Sequence, residues 1–162
     1  MGPSAEYVKT KITDHFSMGE FASPDTGWSH PTDWDEGDFR AQRLWHLCQE
    51  LEGIRTRFGG NRMEITGGWR TEQRQLELFE AGKTSTKHSL HCDGLACDFR
   101  IWLSPERQLP PLLIWYDLVA NWPGGLGLYD THIHLDARWI TRGPGRARWT
   151  KLKTTDTGGG WV

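Results

Sequence analysis

The run Asp130-Thr131-His132-Ile133-His134-Leu135-Asp136 alternates polar and apolar residues with a period of two, the pattern of a half-buried β-strand. If one strand runs through it, Asp130, His132, His134 and Asp136 project from one face while Ile133 and Leu135 turn to a core. A single strand histidine is usually a satisfied core or surface residue, whereas four titratable groups on one face point to chemistry. A chain of 162 residues supports one hydrophobic core, so a single globular domain is expected over residues 1–162.

The remaining elements follow from periodicity and punctuation. Leu44, Leu47, Cys48, Leu51, Ile54 and Phe58 recur three or four apart, which predicts a long amphipathic helix between Asp38 and Phe58, stopped by Gly59 and Gly60. A short strand over Met63–Thr66 and a helix from Thr71 to about Ala81, ended by Gly82, come next. GLACDFRIW (Gly94–Trp102) has the alternation of a strand, and a helix starting at Ser104-Pro105, or after Pro111, would reach Trp122. Strands are expected at Gly125–Tyr129 and His132–Arg138, with a last short one containing Arg148 and Trp149. Residues 1–37 read as an irregular wrapping arm anchored by FSMGEFA (Phe16–Ala22), and residues 150–162 as a mobile tail. Helices and strands that segregate rather than alternate define an α+β fold, a small antiparallel sheet packed with helices.

Charge narrows the function classes. The 19 basic and 21 acidic residues give no overall field to attract nucleic acid or an anionic membrane, and no window is apolar enough to span one. The N-terminal MGPSAEYVKTKITDHF lacks an apolar stretch of signal-peptide length, so the expectation is a chain made in the cytoplasm. Cys48, Cys92 and Cys97, odd in number and at no disulfide spacing, agree with that. Most of the ten tryptophans are expected to fill the core, with some lining a groove suited to sugars or extended peptides.

Catalytic zinc is commonly held by three protein ligands drawn from His and carboxylate, with a fourth position left for water. The sequence offers His91 and Asp98 around a Gly-containing turn, and the His132-x-His134 pair. Cys92 and Cys97 lie in the same stretch, but their spacing is wide for a structural zinc knuckle, and Cys97 has strand parity opposite to Asp98. His15, His30, His46 and His88 have no partner spacing, with His88 placed at a cleft rim.

Ser89-x-His91-x-x-Gly94-x-Ala96-x-Asp98 resembles the zinc-site signature of the zinc D-Ala-D-Ala carboxypeptidase family, which includes phage L-alanyl-D-glutamate endopeptidases and is structurally akin to the hedgehog signalling domain. GGLGLY (Gly124–Tyr129) and HIHLDAR (His132–Arg138) are similar to its glycine-rich strand and second motif. ARW (Ala147–Trp149), EITGGWRT (Glu64–Thr71) and FSMGEFA are similar to further segments, so the resemblance spans Phe16 to Trp149.

The resemblance implies that His91, Asp98 and His134 hold one zinc ion per chain. It implies Arg70 as the arginine that binds a carboxylate or carbonyl of a peptidoglycan stem peptide, with a structural salt bridge as the alternative, and Ser89 as a substrate hydrogen-bonding residue. Asp136 and Arg138 read as supports behind the ligands. The family's acidic base position falls on Thr131, which leaves Asp130 and His132 as competing candidates for catalysis. The function implied is a zinc peptidase cutting an amide in the peptide stem or cross-link of bacterial peptidoglycan, with no nucleic-acid or membrane-inserted partner, as in a phage or prophage endolysin released through a holin-type lesion. A zinc-site cell-wall-binding module or virion-associated protein is the alternative.

Overall fold

Asp38 opens the first helix by accepting the Arg40 backbone N–H on its carboxylate at 2.8 Å, the N-cap that satisfies an otherwise orphan donor. In a computed structural model of the chain, which describes residues 11–22 and 38–153, this helix is α1 (Phe39–Arg57). Its periodic face buries Leu44, Leu47, Cys48, Leu51 and Ile54, and each such leucine contributes on the order of 2 kcal/mol of transfer free energy. Gly59 and Gly60, both with positive φ, end it as expected. The chain continues through β1 (Arg62–Gly67), α2 (Glu72–Glu80), β2 (Ala96–Ser104), β3 (Arg107–Gln108), α3 (Pro111–Leu118), β4 (Gly125–Tyr129), β5 (Ile133–Asp136), α4 (Trp139–Arg142) and β6 (Ala147–Lys151).

The architecture is α+β, with the sheet in the order β1-β2-β5-β4-β6 and β3 paired to the end of β2. The sheet is mixed rather than wholly antiparallel, because β6 runs parallel to β4. The crossover from β5 through α4 makes that possible, since a parallel partner cannot be reached by a hairpin. Leu126, Leu128, Ile133, Leu135, Cys97 and Phe99 point to one face of the sheet, where they meet the α1 leucines and Ile114 and Leu118 of α3 in one core. The opposite face carries the polar positions of the same strands.

Three sequence expectations change here. No helix begins at Ser104-Pro105: a tight turn returns the chain into β3, and Pro111, with its φ pre-set for the first helical turn, starts α3. The strand expected through Asp130 is interrupted, because Asp130 and Thr131 are the two-residue turn of the β4–β5 hairpin, closed by the Tyr129 N–H donating to the His132 carbonyl at 3.1 Å. The tail begins later than Thr150, since Thr150 and Lys151 belong to β6, while residues 154–162 lie outside the described residues. Of the arm, FSMGEFA is anchored as expected by buried Phe16 and Phe21, and residues 1–10 and 23–37 lie outside the described residues. Among the described residues no helix is long and apolar enough to cross a membrane.

Candidate metal centre

One level of the sheet runs through five strands as Gly67, Asp98, His134, Gly127 and Trp149, each a direct cross-strand partner of the next. Glycines at two places in this row make room for the polar and aromatic side chains beside them. A Cβ on Gly67 would fall 2.5 Å from Asp98 Oδ2, and one on Gly127 would fall 2.5 Å from Trp149 Nε1. His91 reaches the same point from the turn before β2, where Gly94 at φ 71 reverses the chain. The Ser89 hydroxyl accepts the His91 backbone N–H at 3.3 Å, and the His91 carbonyl accepts the Arg70 N–H at 3.2 Å.

Three ligand atoms converge. His91 Nε2 lies 3.3 Å from His134 Nδ1, His134 Nδ1 lies 2.9 Å from Asp98 Oδ1, and His91 Nε2 lies 3.7 Å from Asp98 Oδ1. Ligands about 2.0–2.1 Å from a tetrahedral zinc stand about 3.3 Å apart, so the triangle has the dimensions of three corners of such a site. The group His91, Asp98 and His134 can therefore hold a metal ion. The tautomer of His91 suits a ligand: its Nδ1–H donates to the Gly68 carbonyl at 2.7 Å, which leaves the Nε2 lone pair facing the triangle. Behind His134, Asp136 Oδ2 lies 3.7 Å from Nε2. The Asp136 carboxylate is itself held by a two-pronged pairing with Arg138 at 2.8 and 2.7 Å and by the Gly125 N–H at 2.9 Å.

The electrostatics favour a cation at the same point. Burial lowers His91 to about 4 despite the Asp98 charge beside it, so this ring is neutral. Burial also disfavours a charged His134, but the carboxylates of Asp136 and Asp98 on its two sides outweigh it and raise the group to about 9. Burial would raise Asp98, yet the two imidazoles hold it well below the usual carboxylate range. A positive charge between Nδ1 of His134 and the carboxylate of Asp98 is thus stabilised by the surrounding groups.

The triangle opens into a cleft of about 670 Å³. Arg70, Ser89, His132, Asp136 and Arg138 also line it, whereas Asp130 does not. The Asp130 carboxylate instead accepts the Lys153 backbone N–H at 2.9 Å. His132 stacks on Tyr129 with ring centroids 4.4 Å apart, and its Nδ1 lies 3.0 Å from the Thr131 hydroxyl. Burial, countered in part by Asp98, lowers its pKa below the ordinary histidine value. Arg70 has no carboxylate within salt-bridge distance among the described residues; its Nη1 donates to Gln75 Oε1 at 2.8 Å. Cys92 and Cys97 are buried thiols, both raised by that burial, and neither joins the ligand group. His88 lines the cleft and pairs with Asp93 at 3.0 Å.

Sequence reasoning missed three contributors. Trp149 lies against His134 with centroids 5.1 Å apart and donates its Nε1–H to the Tyr129 hydroxyl at 3.2 Å, a link that needed the parallel pairing of β6. Tyr129 has the parity of Gly127, so its position on the metal face was legible once β4 was read as a strand. Gln75, buried in α2, gave no signal.

Fold and site together define a class: an α+β protein whose sheet presents a His–Asp–His group able to hold a metal in an open cleft. Within that class, a family model described as Peptidase M15 matches residues 28–136, well over half of the chain, and the chain belongs to that family of zinc peptidases. A peptidase family implies a peptide-containing substrate. Neither a curated protein nor a solved structure matches the chain.

Proposed function

We propose that the chain is a zinc-dependent peptidase that hydrolyses an amide in the peptide stem or cross-link of bacterial peptidoglycan. The observation that carries this reading is the convergence of His91 Nε2, Asp98 Oδ1 and His134 Nδ1 at one point of an open cleft, in a chain of the M15 family. Zinc, when bound, supplies a Lewis acid for a peptide carbonyl and a water molecule acidic enough to be a nucleophile near neutral pH. His91 and His134 would hold it as neutral imidazoles, and Asp98 would offset part of its charge.

The other residues divide the remaining work. Arg70, positively charged and without a carboxylate partner among the described residues, binds a carboxylate or carbonyl of the substrate. Ser89 already accepts the His91 N–H, and its own hydroxyl proton is free to be donated to the substrate. His132 takes the role of proton acceptor at Nε2, because it lines the cleft and Asp130 does not. Asp136 and Arg138 hold the His134 ring in place from behind. An endolysin role with holin-type release is part of this proposal and rests on the likeness to phage peptidases.

A second reading has its own support. The carboxylates lining the cleft are Asp98 and Asp136, and Asp136 is taken up by Arg138 and Gly125, so no unengaged carboxylate base is present there among the described residues. That favours a zinc-site wall-binding or virion-associated protein with weak catalysis. Mass spectrometry of peptidoglycan digested with the zinc-loaded protein separates the two: new termini at one amide bond support the peptidase, and binding without cleavage supports the module.

A further inference from the structure

We propose that Gln75 is a positioning residue for substrate recognition: it holds Arg70 as a receptor for a substrate carboxylate without neutralising it, and ties it to the loop that forms the neighbouring cleft wall. The inference rests on the reading of Arg70 as a substrate-binding residue.

Gln75 is the buried residue of α2, with 1 % of its surface exposed, where an amphipathic helix would ordinarily bury an apolar side chain. A buried amide is costly unless both ends are hydrogen-bonded, and both are. Its Oε1 accepts from Arg70 Nη1 at 2.8 Å, and its Nε2 donates to the Thr86 carbonyl at 2.7 Å. The orientation is unambiguous, because a guanidinium only donates and a carbonyl only accepts. Thr86 sits within the segment Lys83–His88, most of whose residues line the cleft, and its hydroxyl is bonded to the His88 carbonyl at 2.5 Å. One side chain therefore sets both the guanidinium and this wall.

The chemistry of the anchor matters as much as its position. α2 carries Glu72 and Glu77, yet the position that meets Arg70 holds the neutral amide of nearly the same shape as glutamate. A carboxylate there would pair with Arg70 and quench the charge that faces the cleft. With glutamine, one nitrogen is anchored, the charge persists, and the buried Nε has no partner among the described residues. The arrangement fits a substrate that brings its own carboxylate.

The test compares two probes, the pentapeptide L-Ala-γ-D-Glu-L-Lys-D-Ala-D-Ala as the free acid and the same peptide with its carboxylates amidated. Binding to the full chain, with and without zinc, is measured by titration calorimetry, and KM and kcat are measured where cleavage occurs. The wild type is expected to bind the acid more tightly than the amide. Gln75→Glu is expected to weaken acid binding about tenfold to a hundredfold and to leave amide binding within about twofold, with kcat little changed. Should the glutamate variant not fold, Gln75→Asn keeps the neutral amide one methylene shorter, and a loss of about threefold to tenfold confined to the acid is expected. Equal losses for acid and amide in either variant would make Gln75 a purely structural residue and overturn the proposal, as would a wild type that does not distinguish the probes. A wild type that prefers the acid, loses that preference in the variants and cleaves neither peptide supports this inference and counts against cleavage within the stem.

Discussion

Asp98 and His134 face each other directly across the β2–β5 ladder, with His134 Nδ1 2.9 Å from Asp98 Oδ1. Two of the three candidate ligands are thus fixed by strand register rather than by flexible loops, and His91 is the one that arrives from a turn. Removing any of the three should remove most of the metal: about one zinc per chain is expected for the wild type, and His91→Ala, Asp98→Ala and His134→Ala are each expected to retain little of it. Atomic emission after dialysis measures this, and undiminished zinc in all three variants would contradict the assignment.

The glycines of the same row predict a steric effect. Gly127→Ala places a Cβ 2.5 Å from Trp149 Nε1, so the indole must shift or the strands must part. A loss of about 1–3 kcal/mol in urea unfolding is expected, as for other overpacked sites. Trp149→Ala in the same chain should make the added methyl nearly neutral. A double-mutant cycle without coupling would show that the indole is not what the methyl meets.

For the proton acceptor, the hairpin decides between two candidates. Asp130 lies on the turn with its carboxylate on the Lys153 N–H, whereas His132 lines the cleft. Asp130→Asn is expected to keep near-normal kcat, and His132→Ala to lose about 10²-fold to 10⁴-fold with zinc content intact. Steady-state kinetics on a cleaved stem peptide checks both, and the reverse pattern would return the role to Asp130.

Acid stability should carry the signature of Glu64. Arg100, bonded to it at 2.8 and 3.1 Å, holds its carboxyl below the usual glutamate range, against the opposing effect of burial and with help from the Trp102 N–H. A carboxyl depressed in the folded state stabilises the fold above the unfolded value of about 4.3 and loses that contribution as pH falls through the folded value. Glu64→Gln should therefore be less stable than the wild type at pH 7, and the gap should narrow as the pH is lowered below that unfolded value. Urea midpoints across that range measure it, and a constant gap would remove Glu64 from the acid response.

What the sequence determined by itself was local and periodic. The spacing of Leu44, Leu47, Leu51 and Ile54 dictates α1, and the alternation from Ala96 and from Ile133 dictates which side chains of β2 and β5 share a face. That parity, with the turn at Gly94 and the likeness of the motif around it to a zinc-site signature, was enough to put His91, Asp98 and His134 forward as a set. Tertiary structure decided what periodicity cannot contain. Alternation continues unbroken through Asp130 and Thr131, but the pairing of β5 with β4 requires the chain to reverse there, and the reversal carries Asp130 out of the cleft. The parallel docking of β6, which brings Trp149 to His134, depends on a crossover whose direction has no local signature. Gln75 reads as an ordinary polar helix residue until Arg70 and Thr86 close on its two ends, because a hydrogen bond between segments is written in the distance between them and not in the composition of either.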